Sequence, residues 1–358
     1  MRPKPPTVNL MCERLRVILL LAISMSFRCE STESSRSSSG AAFESELEKI
    51  EGVVFDAREA PSDSALSAIR DLGVTHFALV SFGFMSDERE PELRFAPDVR
   101  WFSESAEGTK HLAERARELG MGIIIKPQIW IRGGKWTADL DFESEEKWIR
   151  WEDDYRDYLL HTAALAEEIS AEVLIIGTEL GNPVRERPEF FRSLIRDVRV
   201  VFSGNLTYGA NWHDDYDQVT FWEDLDYIGV QAYFPISDSE KPEPEELRDG
   251  WNSYIRDLEA VSRRVGLPVL FTEIGYRSVH YAASEPWRWP SRYEGVDPDF
   301  PLQAELFSAF FESVWDQPWF GGAIVWKLYP GSARRGHDLD FTPQGKPAEA
   351  VLRRWFGR

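Results

Sequence analysis

The sequence predicts an α/β fold, a (β/α)8 TIM barrel with a short N-terminal signal and tether segment, on three observations. Apolar runs of strand length alternate with helical segments eight times between residues 48 and 358. The runs are continuous rather than alternating, as in strands covered on both faces of a parallel sheet. About 310 residues is the size of one such barrel. With 43% hydrophobic residues, the chain can also bury a sizeable core.

The elements follow in order. Gly52-Val53-Val54-Phe55-Asp56 is the first strand, and Ser64 to Leu72 a helix that Gly73 stops. Val74 to Val80 is the second strand, and Lys110 to Leu119 a helix stopped by Gly120. Gly122 to Pro127 is the third strand, and one long helix or two cover Glu145 to Ile169. The fourth strand carries Glu179, within Ala171-Glu172-Val173-Leu174-Ile175-Ile176-Gly177-Thr178-Glu179-Leu180. Pro188 opens the next helix, to Phe202, since a proline at the first helical position loses no hydrogen bond. Leu206 to Trp212 is the fifth strand, and a short helix precedes the sixth, Tyr227 to Phe234. The helix Glu245 to Val265 leads to the seventh strand, which carries Glu273 within Leu267 to Tyr276. Pro301 to Trp315 is a helix, Gly322 to Lys327 the eighth strand, and Ala348 to Trp355 the closing helix. No linker or low-complexity segment follows Gly40.

The barrel is thus assigned to 48–358. Residues 1–29 read as a signal peptide. Arg14 and Arg16 precede an apolar run, Val17 to Phe27, that is too short for a comfortable membrane span. Met11 is an alternative start. Residues 30–47 form a Ser-rich tether, and Cys29 just before it resembles a bacterial lipoprotein signal. Phe27 and Arg28 depart from the small residues that lipobox cleavage prefers. The expectation is an exported protein: periplasmic, a cell-surface lipoprotein tethered to the membrane through Cys29, or secreted. Cys12 is the only other cysteine, so a processed chain holds no internal disulfide. A monomer is expected.

In such a barrel the active site sits at the C-terminal ends of the strands. Two glutamates, each preceded by Thr, end strands four and seven, which lie almost opposite across the ring. Carboxylates there are partly desolvated and rigidly held. They could bracket a glycosidic bond, one as acid/base and one as nucleophile or base. Either glutamate alone reads equally well as an exposed loop residue; the pair at two strand tips outweighs that. The net charge of −20 argues against nucleic acid, which demands clustered Lys and Arg. The 14 Trp, 11 Tyr and 22 Phe suit stacking on sugar rings, although most must be core. The six His show no paired ligand spacing, and His337, Asp338 and Asp340 read as a solvated loop, so no metal is expected. No G-x-S-x-G elbow and no Gly-rich phosphate loop occurs, so no cofactor is expected.

Several stretches carry a resemblance. They are Lys126-Pro127-Gln128-Ile129-Trp130, Ile176 to Leu180, Leu206 to Trp212, Trp222 to Phe234, Val269 to Tyr276, Ala323 to Lys327 and Phe341 to Pro347. Together they look like glycoside hydrolase family 113, the (β/α)8 β-mannanases of the retaining clan A, over about residues 48–358. The resemblance implies Glu179 as acid/base, Glu273 as nucleophile, and β-1,4-mannan as substrate, cleaved by double displacement. Thr178 stands where much of the clan has Asn, so that Asn's role at the 2-hydroxyl is not carried over. Tyr233 could orient Glu273. Lys126, in an apolar run, either binds a substrate hydroxyl, holds a carboxylate or makes an internal ion pair. Trp130, Asn211, Trp212 and Trp326 complete the candidate substrate contacts, with Trp326 as the floor of the −1 subsite; barrel packing is the alternative for the last three. The segment Arg277 to Phe300, rich in Trp, Tyr and Pro, could wall off one end of the cleft. Two alternatives remain: another clan A activity, on β-glucan or exo-acting, and a non-catalytic carbohydrate-binding barrel.

Overall fold

The structure is a computed structural model that describes residues 48–95, 101–213, 215–290, 295–331 and 337–358. The signal peptide at 1–29, the tether at 30–47, the Cys29 anchor and Cys12 lie outside the described residues. The strands are β1 (Ile50–Phe55), β2 (His76–Met85), β3 (Leu93–Phe95), β4 (Gly122–Ile131), β5 (Val173–Thr178), β6 (Asn205–Asn211), β7 (Ile228–Gln231), β8 (Val269–Ile274) and β9 (Phe320–Leu328). All except β3 pair in parallel in the ring β1-β2-β4-β5-β6-β7-β8-β9, and β9 returns to β1. This closed eight-stranded barrel is the expected TIM barrel. The helices are α1 (Asp63–Arg70), α2 (Ala106–Glu118), α3 (Glu145–Glu168), α4 (Gly181–Glu186), α5 (Pro188–Val201), α6 (Pro244–Val265), α7 (Phe300–Val314) and α8 (Pro347–Phe356).

Local chemistry explains where the helices begin. Ser62, Ser105, Ser144 and Asp299 cap α1, α2, α3 and α7, each side-chain oxygen accepting a backbone N–H of the first turn. Gly73 takes φ +89° directly against the carbonyl of Phe356, so no side chain fits there. The continuous apolar runs divide by alternation. Val54, Ala78, Ile124, Ile175, Leu270 and Ile324 pack together and fill the barrel. Their chain neighbours, such as Val53, Phe77, Ile125 and Leu174, join a second cluster shared with the helices. Trp151 and Trp251 are fully buried there.

Three features depart from the sequence reading. β2 and β4 do not stop at Val80 and Pro127; they continue as a paired ladder from Ser81↔Pro127 to Met85↔Ile131. Pro127 is tolerated inside a strand because β5 pairs with β4 only at Ile124 and Ile125, leaving no partner for a donor there. β3, too short to show a period, pairs antiparallel with the end of β2. α4 begins Gly-Asn-Pro, which reads as a turn, yet proline is acceptable in a first helical turn.

Candidate active site

Glu179 follows β5 with φ +50°, a left-handed backbone uncommon outside glycine. Its N–H donates to the Gly209 carbonyl of β6 at 2.8 Å, and its own carbonyl accepts the Thr137 hydroxyl at 2.9 Å. The side chain is held as firmly. Oε1 accepts from Asn211 Nδ2 at 2.7 Å, and Oε2 from the Trp136 indole N–H at 2.8 Å. Burial pushes this carboxyl above the ordinary range. The Trp136 hydrogen bond opposes that rise, the Glu273 charge adds to it, and Asn211 and Lys126 oppose it.

Glu273 ends β8 and is only 5% exposed. Its Oε2 accepts the Tyr233 hydroxyl at 2.7 Å; Oε1 accepts from Gln128 Nε2 at 3.0 Å and Lys126 Nζ at 3.1 Å. Lys126 is 0% exposed, and its ammonium also donates to Thr178 Oγ1 at 3.2 Å and Gln231 Oε1 at 3.1 Å. Three donors meet three acceptors, so the buried cation is satisfied. Of the readings open for Lys126, the structure shows the internal ion pair with the Glu273 carboxylate. Burial and the Glu273 charge push the Tyr233 phenol well above its usual value, which keeps it a donor.

Both carboxylates line one cavity of about 320 Å³, with Gln128, Trp136, Tyr233, Trp287, Trp289, Trp326 and Phe341 among its walls. The Trp326–Lys327 peptide is cis. Among the described residues no group of three or more His, Cys, Asp or Glu could hold a metal ion.

A barrel mouth with one desolvated carboxyl, pushed above the ordinary range, and a second paired to a buried lysine presents two carboxyls in contrasting surroundings. The family model described as Glycoside Hydrolase Family 113 matches residues 53–346. The chain belongs to this family. The family 113 chain is similar to the β-mannanase AaManA from Alicyclobacillus acidocaldarius, solved with ManMIm, at 26% identity and a TM-score of 0.75, over 88% of this chain and 99% of that one. A structure of a family 113 β-1,4-mannanase is 25% identical with a TM-score of 0.73, over 87% of this chain and 99% of that one. The endo-β-1,4-mannanase from Thermotoga petrophila, at 12% identity and a TM-score of 0.53 over 88% of this chain and 78% of that one, shares the fold. No curated protein matches. The chain is a glycoside hydrolase of clan A.

The family 113 chain gathers some of the residues singled out by sequence and leaves others aside. Glu179, Glu273, Tyr233 and Trp326 line the cavity. Lys126 lies beneath its floor, and Asn211 acts on Glu179. Trp212 stacks on Trp287 (ring centroids 5.1 Å apart) and so backs the wall. Trp130 lines a neighbouring cleft instead. The sequence reading placed Gln128 and Gln231 at the active-site ends of the third and sixth strands without a role, and gave none to Trp136, Trp287, Trp289 or Phe341. The role of Gln128 was findable, since it shares a strand face with Lys126. Trp287 and Trp289 fall in the segment expected to wall the cleft. Trp289 is held by the Arg277 guanidinium, 3.5 Å from its ring centroid. Trp136 sits in a loop after Gly133 and Gly134, both at positive φ, and no period points to it.

Proposed function

We propose that the chain is a retaining β-mannanase acting on β-1,4-mannan or its oligosaccharides. The observation that carries this is the contrast between two carboxyls in one cavity. Glu179 is desolvated and touched only by neutral donors; Glu273 is paired with the Lys126 ammonium. Carboxyls whose environments differ in this way divide into acid and nucleophile. Glu273 attacks the anomeric carbon while Glu179 gives its proton to the departing glycosidic oxygen, so the C–O bond breaks as the glycosyl–enzyme bond forms. Glu179, now ionised, takes a proton from water, whose oxygen attacks the same carbon and frees Glu273. Tyr233, Gln128 and Lys126 orient the nucleophile. Trp326, Trp287 and Trp289 face the sugars. Mannan is favoured by likeness to the family 113 β-mannanases. The enzyme works as an exported monomer, whether periplasmic, held at the cell surface through Cys29, or secreted.

Two variants test the assignment together. Glu179→Ala should keep cleaving a dinitrophenyl β-mannoside, whose leaving group needs little protonation, while losing mannan by about 10²–10⁴-fold. Azide should accelerate it. Glu273→Ala should lose both substrates. NMR of the first product from the unaltered enzyme should show a β-anomer; an α-anomer removes Glu273 as nucleophile. Products from gluco-oligosaccharides rather than manno-oligosaccharides would move the substrate to glucan.

A further inference from the structure

We propose that Asp215 is a positioning residue for the acid/base chemistry of Glu179, acting on it along two routes. This rests on the role of Glu179 proposed above. Asp215 lies in the loop after β6 and is only 2% exposed. Aspartate is almost never so enclosed without partners, and its partners are what tie it to Glu179. The first route runs through the main chain. Glu179 holds φ +50°, a conformation that persists only where its surroundings over-determine it. The N–H of the next residue, Leu180, donates to the Tyr208 hydroxyl at 2.7 Å, and that hydroxyl donates to Asp215 Oδ2 at 3.3 Å. A phenol has one proton to give. Its oxygen can accept from Leu180 only while that proton points elsewhere, and Asp215 is the acceptor that takes it. Burial and the Asp215 charge push the Tyr208 phenol well above its usual value, so the proton stays on Tyr208.

The second route runs through Asn211. Asp215 Oδ2 also accepts the Asn211 backbone N–H at 2.9 Å. The Asn211 amide is set from its other end: Oδ1 accepts the His213 N–H at 2.9 Å, which leaves Nδ2 to donate to Glu179 Oε1 at 2.7 Å. One carboxylate oxygen thus fixes both the peptide that follows Glu179 and the residue that holds its carboxyl.

Loop packing alone does not account for this arrangement. Both donors converge on Oδ2, while Oδ1 has no hydrogen-bond partner among the described residues. A buried polar atom left unpaired is destabilising and uncommon in folded proteins, so it calls for a reason. A carboxylate that only stapled the loop would be best served on both oxygens; here Oδ1 goes unserved while Oδ2 faces both donors. Neither Asp215 nor Tyr208 lines the catalytic cavity, so their effect on the reaction passes through Glu179 and Asn211. Support of this kind, a buried group that locks the partners of a reacting side chain, is what keeps a site within a fraction of an ångström of its working geometry.

The test asks whether Asp215 works through Glu179 or merely through the fold. Asp215→Ala and Asp215→Asn are compared with the unaltered enzyme on mannohexaose, whose leaving group needs a proton, and on dinitrophenyl β-mannoside, whose leaving group needs little. A misaligned general acid should lower kcat/KM for mannohexaose about 10–100-fold in Asp215→Ala, and that for the aryl glycoside by no more than about 3-fold. Asp215→Asn, whose amide oxygen can accept the same two hydrogens, should stay within about 5-fold of the unaltered enzyme on both. Added to Glu179→Ala, Asp215→Ala should leave hydrolysis of the aryl glycoside and its acceleration by azide unchanged, because residues that act as a unit are not additive. Equal losses on the two substrates, no loss on mannohexaose, an Asn variant as slow as the Ala variant, or a further loss in the Glu179→Ala background overturns the proposal. If circular dichroism shows Asp215→Ala unfolded, Tyr208→Phe decides. It deletes the hydroxyl between Asp215 and Leu180 and should show the same selective loss; an equal or absent loss overturns the proposal. If the unaltered enzyme cleaves no mannoside, or Glu179→Ala loses both substrates equally, the proposed function fails and takes this inference with it. If Glu179→Ala behaves as expected and the Asp215 variants do not discriminate, only this inference fails.

Discussion

Replacing Lys126 by Met would keep the aliphatic stem in its apolar surroundings and delete the ammonium. Glu273, 5% exposed, would then be a buried carboxylate without its cation. Breaking a buried pair by removing one partner costs about 3–5 kcal/mol. Glu273 would retain the Tyr233 hydroxyl and the Gln128 amide, while Gln231 would keep only the Thr272 hydroxyl at its Oε1. The lower end, about 3 kcal/mol, is therefore expected. With a urea slope of about 3 kcal/mol per molar, the unfolding midpoint should drop by about 1 M, read by tryptophan fluorescence. The double variant Lys126→Met with Glu273→Gln removes the stranded charge as well. It should recover about 2 kcal/mol relative to the sum of the two single losses. The single Lys126 variant should also lose about 10²-fold or more in kcat/KM, because Glu273, the proposed nucleophile, loses a fixed charge partner. A Lys126→Met protein as stable as the parent, or strictly additive losses in the cycle, would refute the ion-pair reasoning.

Two further expectations come from titrating groups. Trp136→Phe preserves an aromatic wall but removes the N–H that pulls Glu179 down, so the carboxyl should rise further and stay protonated to higher pH. The alkaline limb of the kcat/KM profile should move upward; an unmoved limb means the indole does not tune the acid. Glu51 is pushed up to about 7 by burial. Its folded state holds the proton above the unfolded value of 4.5, so its contribution to stability is full below about pH 4.5 and is lost as pH rises through about 7. In Glu51→Gln that loss should vanish, seen as a flatter melting temperature across this range. Parallel curves for the two proteins would show that Glu51 is not the group responsible.

The barrel was legible because parallel strands buried on both faces must be continuously apolar, and because glycines and capping residues punctuate the helices between them. The meeting of Glu179 and Glu273 in one cavity was legible for the same reason: a charged residue that ends such a run is carried to the barrel mouth by the strand beneath it. Their partners were harder. Lys126 announced itself by standing in an apolar run, but which acceptor it meets depends on side chains from three other strands, and no one-dimensional period encodes that. Trp136 reaches Glu179 through a loop turned by two glycines, a geometry that propensity does not register. The overrun of β2 and β4 was hidden by Pro127, which reads as a strand end unless one knows that β5 has already parted from β4 there. Trp130 was read with the substrate contacts by its place after the third strand, yet the structure sets it in the adjoining cleft.

The left-handed backbone at Glu179 bears on how this enzyme can be improved. An L side chain in that region costs about 1–2 kcal/mol relative to a relaxed conformation, and glycine escapes most of it. Glu179→Gly would relax the main chain and discard a desolvated carboxyl in the same step. The Glu179→Gly protein would then melt later than its parent. Random libraries sorted for heat resistance alone would drift toward glycine at this position and enrich clones that lack the proposed acid. Directed evolution on this scaffold needs turnover measured in the same round as melting, with residue 179 held fixed.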